Sequence, residues 1–217
     1  MPANRLLKER KALNRRTIQE VAREIFFEKG YTNSTIEEIA KRAGMGKGSV
    51  YYYFSTKDEI FLSLTFPLLD KINESLKGIK KKLENRRYKN CKDIIMAFYN
   101  HFMSVYDFDS KGLRILQAIQ QEDLFFSMSE ETRDKFSVQA RIGFQLSREI
   151  LSKAMEMDLF PSLNPFEVID SLWGAFMGIV QLEENKSRIS GKSHLKNTIK
   201  MSFSFLAEGI CSIKNPH

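Results

Sequence analysis

Between Gly30 and Phe61 the chain reads GYTNSTIEEIAKRAGMGKGSVYYYFSTKDEIF, a pattern that leaves room for little but short helices joined by tight turns. Gly30 closes a preceding helix, because glycine tolerates the left-handed stop that follows a helical C-terminus. Ser34-x-x-Glu37 and Thr35-x-x-Glu38 both have capping-box spacing, a hydroxyl for orphan N–H groups and a carboxylate that reaches back. Ile36, Ile39, Ala40 and Ala43 then form one buried stripe, which predicts a helix from about Thr35 to Arg42. Gly44 makes the turn. A third helix follows over about Lys47 to Tyr53, with Val50 and Phe54 facing inward at i, i+4.

The rest of the chain reads as helix too. Its 217 residues are 42% hydrophobic, enough for a real core, and only five prolines and eleven glycines interrupt them. β-branched alternating runs are scarce, so the predicted class is all-α. Helix 1 runs from Arg5 or Leu13 to Glu28, with Ile18, Val21, Ala22, Ile25 and Phe26 on its buried face. A fourth helix starts near Lys57 or Asp58, where Asp58 and Glu59 suit a positive N-terminus, and continues towards Arg87 with a kink at Pro67. Further helices are expected over 92–107, 111–121, 130–157, 165–184 and 194–213, with Pro161 and Pro165 breaking the pattern. A boundary after Lys57 divides the chain into 1–57 and 58–217.

Charge separates the two parts. Residues 1–57 hold twelve Lys/Arg against six Asp/Glu, so nearly all of the net +7 sits there. A polyanionic partner for that segment follows more readily than a uniformly basic surface. Cys91 and Cys211 lie far apart without CxxC spacing, which argues against a zinc module and against a disulfide scaffold. No metal or other cofactor is expected. No apolar run is long enough for a bilayer, and the basic start lacks the apolar core of a secretory signal, so a cytoplasmic protein without a membrane partner is expected.

Two short helices around a glycine turn have the layout of a helix-turn-helix that places its second helix in a DNA major groove. The exposed face of such a helix must be small near its axis and polar at its edges. Lys47, Gly48 and Ser49 meet that need: Gly48 lets the backbone approach, Lys47 can reach guanine O6 or N7, and Ser49 a base edge or phosphate. Tyr51, Tyr52 and Tyr53 point about 100° apart, so one face cannot bury all three. At least one hydroxyl is then free for phosphate. Thr35 and Lys57 flank the groove at helix starts, where N–H groups favour phosphate. The basic start, with Arg5, Lys8, Arg10, Lys11, Arg15 and Arg16, reads equally as a DNA-tracking arm or as an exposed extension of helix 1.

The landmarks GYTNSTIEEIAKRAG and GKGSVYYYFSTKDEIF resemble the DNA-binding domain of the tetracycline-repressor (TetR) family over about Thr17 to Phe61. The resemblance implies an N-terminal three-helix helix-turn-helix domain that binds DNA, and a C-terminal helical domain that binds a small effector and dimerises. It also implies that Lys47, Gly48, Ser49, Tyr51, Tyr52 and Tyr53 face the groove or phosphates, with Thr35 and Lys57 as phosphate anchors. Two positions depart from the family's habit: Gly46 stands where a Ser or Thr cap is usual, and Tyr53 where histidine is common.

Aromatics and methionines crowd residues 98–144. Phe98, Tyr99, Phe102, Met103, Tyr106 and Phe144, with Gln117 and Gln121 as polar points, are the expected effector contacts; His101 and Gln120 are further polar points. The alternative for each is ordinary core packing. An apolar or aromatic effector is expected. Phe166, Ile169, Trp173, Phe176 and Met177 make one wide apolar stripe, and Leu195, Ile199, Phe203 and Leu206 another. Paired across a two-fold axis they would build a four-helix interface; otherwise they close the subunit's own core. The leading expectation is a homodimeric regulator, a repressor released by its effector from a palindromic double-stranded operator. An effector-free DNA-binding or partner-binding adaptor would share its DNA-binding domain. An enzyme would have to rely on Cys91, His101 and scattered carboxylates, and no G-x-S-x-G, HExxH or phosphate loop is present.

Overall fold

The structure, a computed structural model, describes residues 2–120, 125–126 and 128–213. The described residues are helical, with no strand among them. In chain order the helices are α1 (Pro2–Lys29), α2 (Ile36–Arg42), α3 (Lys47–Tyr53), α4 (Lys57–Ser63), α5 (Phe66–Glu84), α6 (Cys91–Gln120), α7 (Glu130–Glu156), α8 (Pro165–Ser190) and α9 (Leu195–Cys211). They cluster into two compact units, residues 1–67 with 111–137, and residues 68–110 with 138–217. The expected boundary after Lys57 falls inside α4 instead, because α4 packs on α1.

In the first unit α1 packs against α2 and α4, and α2 against α3. Ile18, Ala22 and Ile25 are fully buried, as the 3.6-residue spacing requires. Gly30 ends α1 with φ +81° and donates its N–H to the Phe26 carbonyl (3.0 Å), a left-handed stop. Of the two possible capping boxes, Thr35 caps α2: its Oγ1 accepts from the Glu38 N–H (3.2 Å). Ser34 is buried and donates to the Tyr31 carbonyl (2.6 Å). Arg42 clamps Glu28 with two N–H donors (2.7 and 2.8 Å), tying the end of α2 to α1. Rings of Phe26, Tyr31 and Phe61 close the packing, with Phe26 and Phe61 edge-on at 5.1 Å.

The expected fourth helix is two. α4 stops at Ser63 and α5 restarts at Phe66, just before Pro67, whose ring removes the N–H that a continuous helix needs from residue 67. The two helices expected over 92–107 and 111–121 are both present and meet within α6 at a kink, where Asp109 leaves helical geometry (φ −158°, ψ 81°). α8 continues to Ser190 and ends on left-handed Gly191.

The second unit is built around an aromatic cluster. Phe102 stacks on Phe176 at 5.0 Å and meets Trp173 and Phe203 at 5.6 and 5.9 Å. Cys91 and Cys211, whose spacing argues against a disulfide scaffold, nevertheless form a disulfide with 5.7 Å between their Cα atoms. It fastens the first residue of α6 to the last of α9. In the chain-entropy account, closing a loop of that length stabilises by about 4–5 kcal/mol.

Candidate nucleic-acid interface

α3 is held by two side chains. Val50 is fully buried and Phe54, which caps the helix through its N–H to the Val50 carbonyl (2.9 Å), is 1% exposed. With these directed inward, helical geometry turns Lys47, Gly48, Ser49, Tyr51 and Tyr52 outward, and all five are exposed. Tyr52 is 70% and Tyr51 46% exposed, so two of the three tyrosines reach solvent. Tyr53 is half-buried: its hydroxyl accepts from Asn14 Nδ2 (2.9 Å) and its carbonyl from Arg15 (2.9 Å). It fixes α3 against α1, and its hydroxyl keeps a hydrogen to donate.

Gly46 starts α3 without any side-chain cap, as the sequence indicates. A Cβ at Gly48 would meet nothing within 4 Å. The protein's own packing therefore does not demand glycine there. Lys47 pairs with Glu37, an exposed contact that holds Glu37 below the usual carboxylate range and Lys47 above the usual amine range through their hydrogen bond. A phosphate or base edge that takes Lys47 shares the ammonium with Glu37 or displaces it.

Lys57 is turned to the protein. Its Nζ donates to the carbonyls of Tyr31 (2.8 Å) and Ser34 (3.0 Å) and lies 4.2 Å from the Tyr31 ring. Burial lowers its pKa. It stabilises the α1–α2 turn with two of its three donors, leaving one for an anchor role. Thr35 is exposed, with its hydroxyl hydrogen free beyond the cap it accepts.

α1 is one continuous helix from Pro2, so the basic start is an extension of helix 1. Arg10 and Asn14 line an open cleft of about 620 Å³ together with Gly46, Gly48 and Tyr52. Lys11 lies 5.1 Å from the Tyr52 ring. Arg5 and Arg16 are drawn into pairs with Glu9 and Glu20 on the same helix. Arg10 and Lys11 thus form the cationic edge beside α3.

Other expected site residues lie elsewhere. Phe98, Phe102 and Met103 are buried in the aromatic cluster, while Tyr99, Tyr106 and Phe144 are half-buried. Tyr99 packs on Phe203 and Phe144 on Trp173. Gln117 belongs to the first unit, and Gln121 lies outside the described residues. The expected dimer stripes turn inward: Ile169, Phe176, Met177, Leu195, Ile199 and Phe203 are at most 8% exposed and close the second unit's own core. Trp173 and Leu206 are half-buried, and only Phe166 of that set is exposed. No group of His, Cys, Asp or Glu among the described residues could hold a metal ion. No helix among them is long and apolar enough to cross a membrane.

Residues 18–64 match the family described as "Bacterial regulatory proteins, tetR family". Over 90% of its length the chain is 24% identical to 97% of the uncharacterized HTH-type transcriptional regulator YfiR of Bacillus subtilis (strain 168). Several other curated relatives align over less than half of this chain and less than half of their own length. Among solved structures, the TetR family transcriptional regulator PfmR from Thermus thermophilus superposes with a TM-score of 0.66 at 18% identity, over 88% of this chain and 97% of that one. AibR, solved in complex with isovaleryl coenzyme A and operator DNA, gives 0.65 at 17% identity, over 88% and 97%. At such identities the likeness is one of fold.

Proposed function

We propose that this chain, which belongs to the tetR family of bacterial regulatory proteins and regulates transcription by binding DNA, is a homodimeric repressor that leaves a palindromic operator when a small molecule occupies its second unit. The observation that carries the reading is the two-sidedness of α3. Val50 and Phe54 lock it to the domain while Lys47, Gly48, Ser49, Tyr51 and Tyr52 stand clear. In this reading Lys47 and Ser49 read base edges, Gly48 admits the close approach, and Tyr51, Tyr52 and the Thr35 hydroxyl hold phosphates. Tyr53 and Lys57 act mainly by fixing the frame.

The dimer is assigned to the outward faces of α8 and α9. There Gly174, Gly178 and Gly209 are exposed with open space above them, beside exposed Leu182, Met201 and Phe205. Small residues let two helices approach closely, and the large apolar ones supply buried area. A two-fold pairing of these faces supplies two copies of α3, one for each half of a palindromic site.

That AibR was solved with both isovaleryl coenzyme A and operator DNA supports a ligand-responsive regulator. Release requires the effector to favour the state that does not fit the operator. An apolar effector held by Phe98, Phe102 and Met103 receives less support, since all three are buried and the Phe98 and Phe102 rings pack on each other.

The test is selection of genomic fragments by the purified full-length protein. Enrichment of palindromic sites supports the reading, and random recovery overturns it. Lys47→Ala with Tyr52→Ala should cost roughly a hundredfold or more in operator affinity while the dimer persists. Undiminished, salt-insensitive binding by that variant would contradict the assignment of α3.

A further inference from the structure

A groove opens in the second unit and borders the aromatic cluster through His101, whose ring lies 5.0 Å from that of Phe102. Its walls are one face of α5 and one face of the first half of α6, and it encloses about 500 Å³. It exists because the facing positions are small. Gly78 on α5 has nothing within 4 Å of where a Cβ would sit, and Ala97 stands on the α6 wall. Ile79 and Met96 supply an apolar floor.

The polar groups are distributed unevenly. Lys82, from α5, and Arg87, from the turn after it, line one end, and both are exposed. Neither cation has an ion-pair partner among the described residues. The acid in the lining is Asp93, and it is engaged: its Oδ2 accepts from the Lys89 N–H (2.7 Å), and its own N–H donates to Asn90 Oδ1 (3.0 Å). These bonds fix the start of α6, and the lining carries two cations against that one carboxylate. Tyr88 beside it is pushed upward by burial and then by Asp93, so its phenol remains a donor.

His101 also lines the groove. It is 3% exposed, and its Nδ1 is buried without a hydrogen-bond partner. An unpaired ring nitrogen shut off from solvent carries a desolvation cost and marks a polar point behind the groove's wall. The groove thus pairs unneutralised cations at its mouth with a lone buried nitrogen in its wall, over an apolar floor.

We propose that this groove is the effector site and that it takes a small organic oxyanion, a carboxylate or phosphate monoester, with the charged head on Lys82 and Arg87 and the body on Ile79 and Met96 towards His101. The assignment rests on the regulator reading for its consequence and on the groove alone for binding. A guanidinium and an ammonium on one head group give charge-assisted bonds without the cost of burying either cation. Occupation bridges α5 to α6.

Four probes on the full-length protein test this by titration calorimetry: hexanoate, hexyl phosphate, hexanol and inorganic phosphate. The three hexyl compounds share a body and differ in head group. Saturable binding of hexanoate or hexyl phosphate is expected, at least about tenfold tighter than hexanol or inorganic phosphate. Whichever of the two binds more tightly identifies the head group. Lys82→Ala with Arg87→Ala should weaken it about tenfold or more. Gly78→Leu, which plugs the groove from a position with open space, should abolish it; helicity and melting should be retained in both. The chain has three histidines, so the His101 imidazole resonances, assigned through His101→Gln, should move on titration. Hexanol binding as tightly as the anions, anion binding unchanged in both variants, a stationary His101 signal, or no anion binding up to about 10 mM would each overturn the proposal. Operator binding without any probe is measured alongside. If it persists while the anions fail, the groove assignment falls and the regulator reading stands.

Discussion

Gly48 and His101 show how single residues separate stability from function. Nothing in the protein contacts a Cβ added at Gly48, and the residue lies in helical backbone. Gly48→Ala should therefore stabilise the folded chain by about 0.5–1 kcal/mol, the ordinary gain of alanine over glycine in a helix. If Gly48 admits close approach to base pairs, the same methyl should weaken operator binding by roughly tenfold. Thermal melting and fluorescence anisotropy on one preparation would read both; equal affinity would remove Gly48 from the interface. His101 makes the opposite case, a buried group with a stability signature. Burial, with a smaller effect of Lys71 on α5, pulls its pKa from 6.5 down to about 4. Between those values the unfolded chain binds a proton that the folded one lacks, so stability rises with pH across that window. The contribution is complete above about pH 6.5 and is lost as pH falls towards 4, on the order of 3 kcal/mol in all. Urea midpoints at pH 7, 6 and 5 should show it, and His101→Gln should flatten the fall between pH 6.5 and 5.

At the scale of elements, α1 carries a prediction that its core-facing half does not. Residues 5–13 are all exposed, whereas burial begins in earnest at Ile18. Deleting residues 2–11 should leave the melting of the chain nearly unchanged. It removes Arg10 and Lys11 from the edge of α3, so the slope of log affinity against log salt should shrink by about 2 per chain. An unchanged slope would mark the extension as a solvated helix end. The same helices show which parts of the fold are legible locally. α2 and α3 can be read to within a residue, because hydroxyl caps, Gly30 and Gly44 act on their immediate neighbours. Pro67 announces a disruption, but its local chemistry does not say whether α4 and α5 bend or part. The effector residues are the least legible. Phe98, Phe102 and Met103 have the spacing of a buried stripe, and spacing cannot distinguish a filled core from a lined cavity. The groove beside His101 arises where Gly78 and Ala97 leave side chains out, an absence that periodicity does not register. Nor does it register the partnership of Cys91 and Cys211, whose separation of 120 residues carries no information about contact.

For the whole molecule, the question is which faces of α8 and α9 meet a second chain. Both helices are apolar on two sides, so the sequence favours the stronger stripe, and that stripe turns inward. Phe203 and Phe205 are two residues apart on α9, yet one is fully buried and the other 67% exposed. They make a paired experiment. Phe205→Glu places a charge on the outward face, where a two-fold contact would bring it against its symmetry mate or strand it without water. The full-length chain, 25.2 kDa as a monomer, should then elute by light scattering as a monomer with its melting temperature little changed at low concentration. Operator affinity should fall by roughly a hundredfold or more, since two half-sites can no longer be engaged by one tethered pair. Phe203→Ala should do the reverse. It removes a ring that packs on Phe102 and Tyr99 and should cost about 3–5 kcal/mol of folding stability, without itself dissociating those dimers that still fold. If instead Phe203→Ala separates the chains while Phe205→Glu leaves them paired, the interface lies on the face that the subunit itself has closed, and the pairing of outward helices is wrong. The dimer thus depends on which side of one helix is spare after the monomer's core is complete.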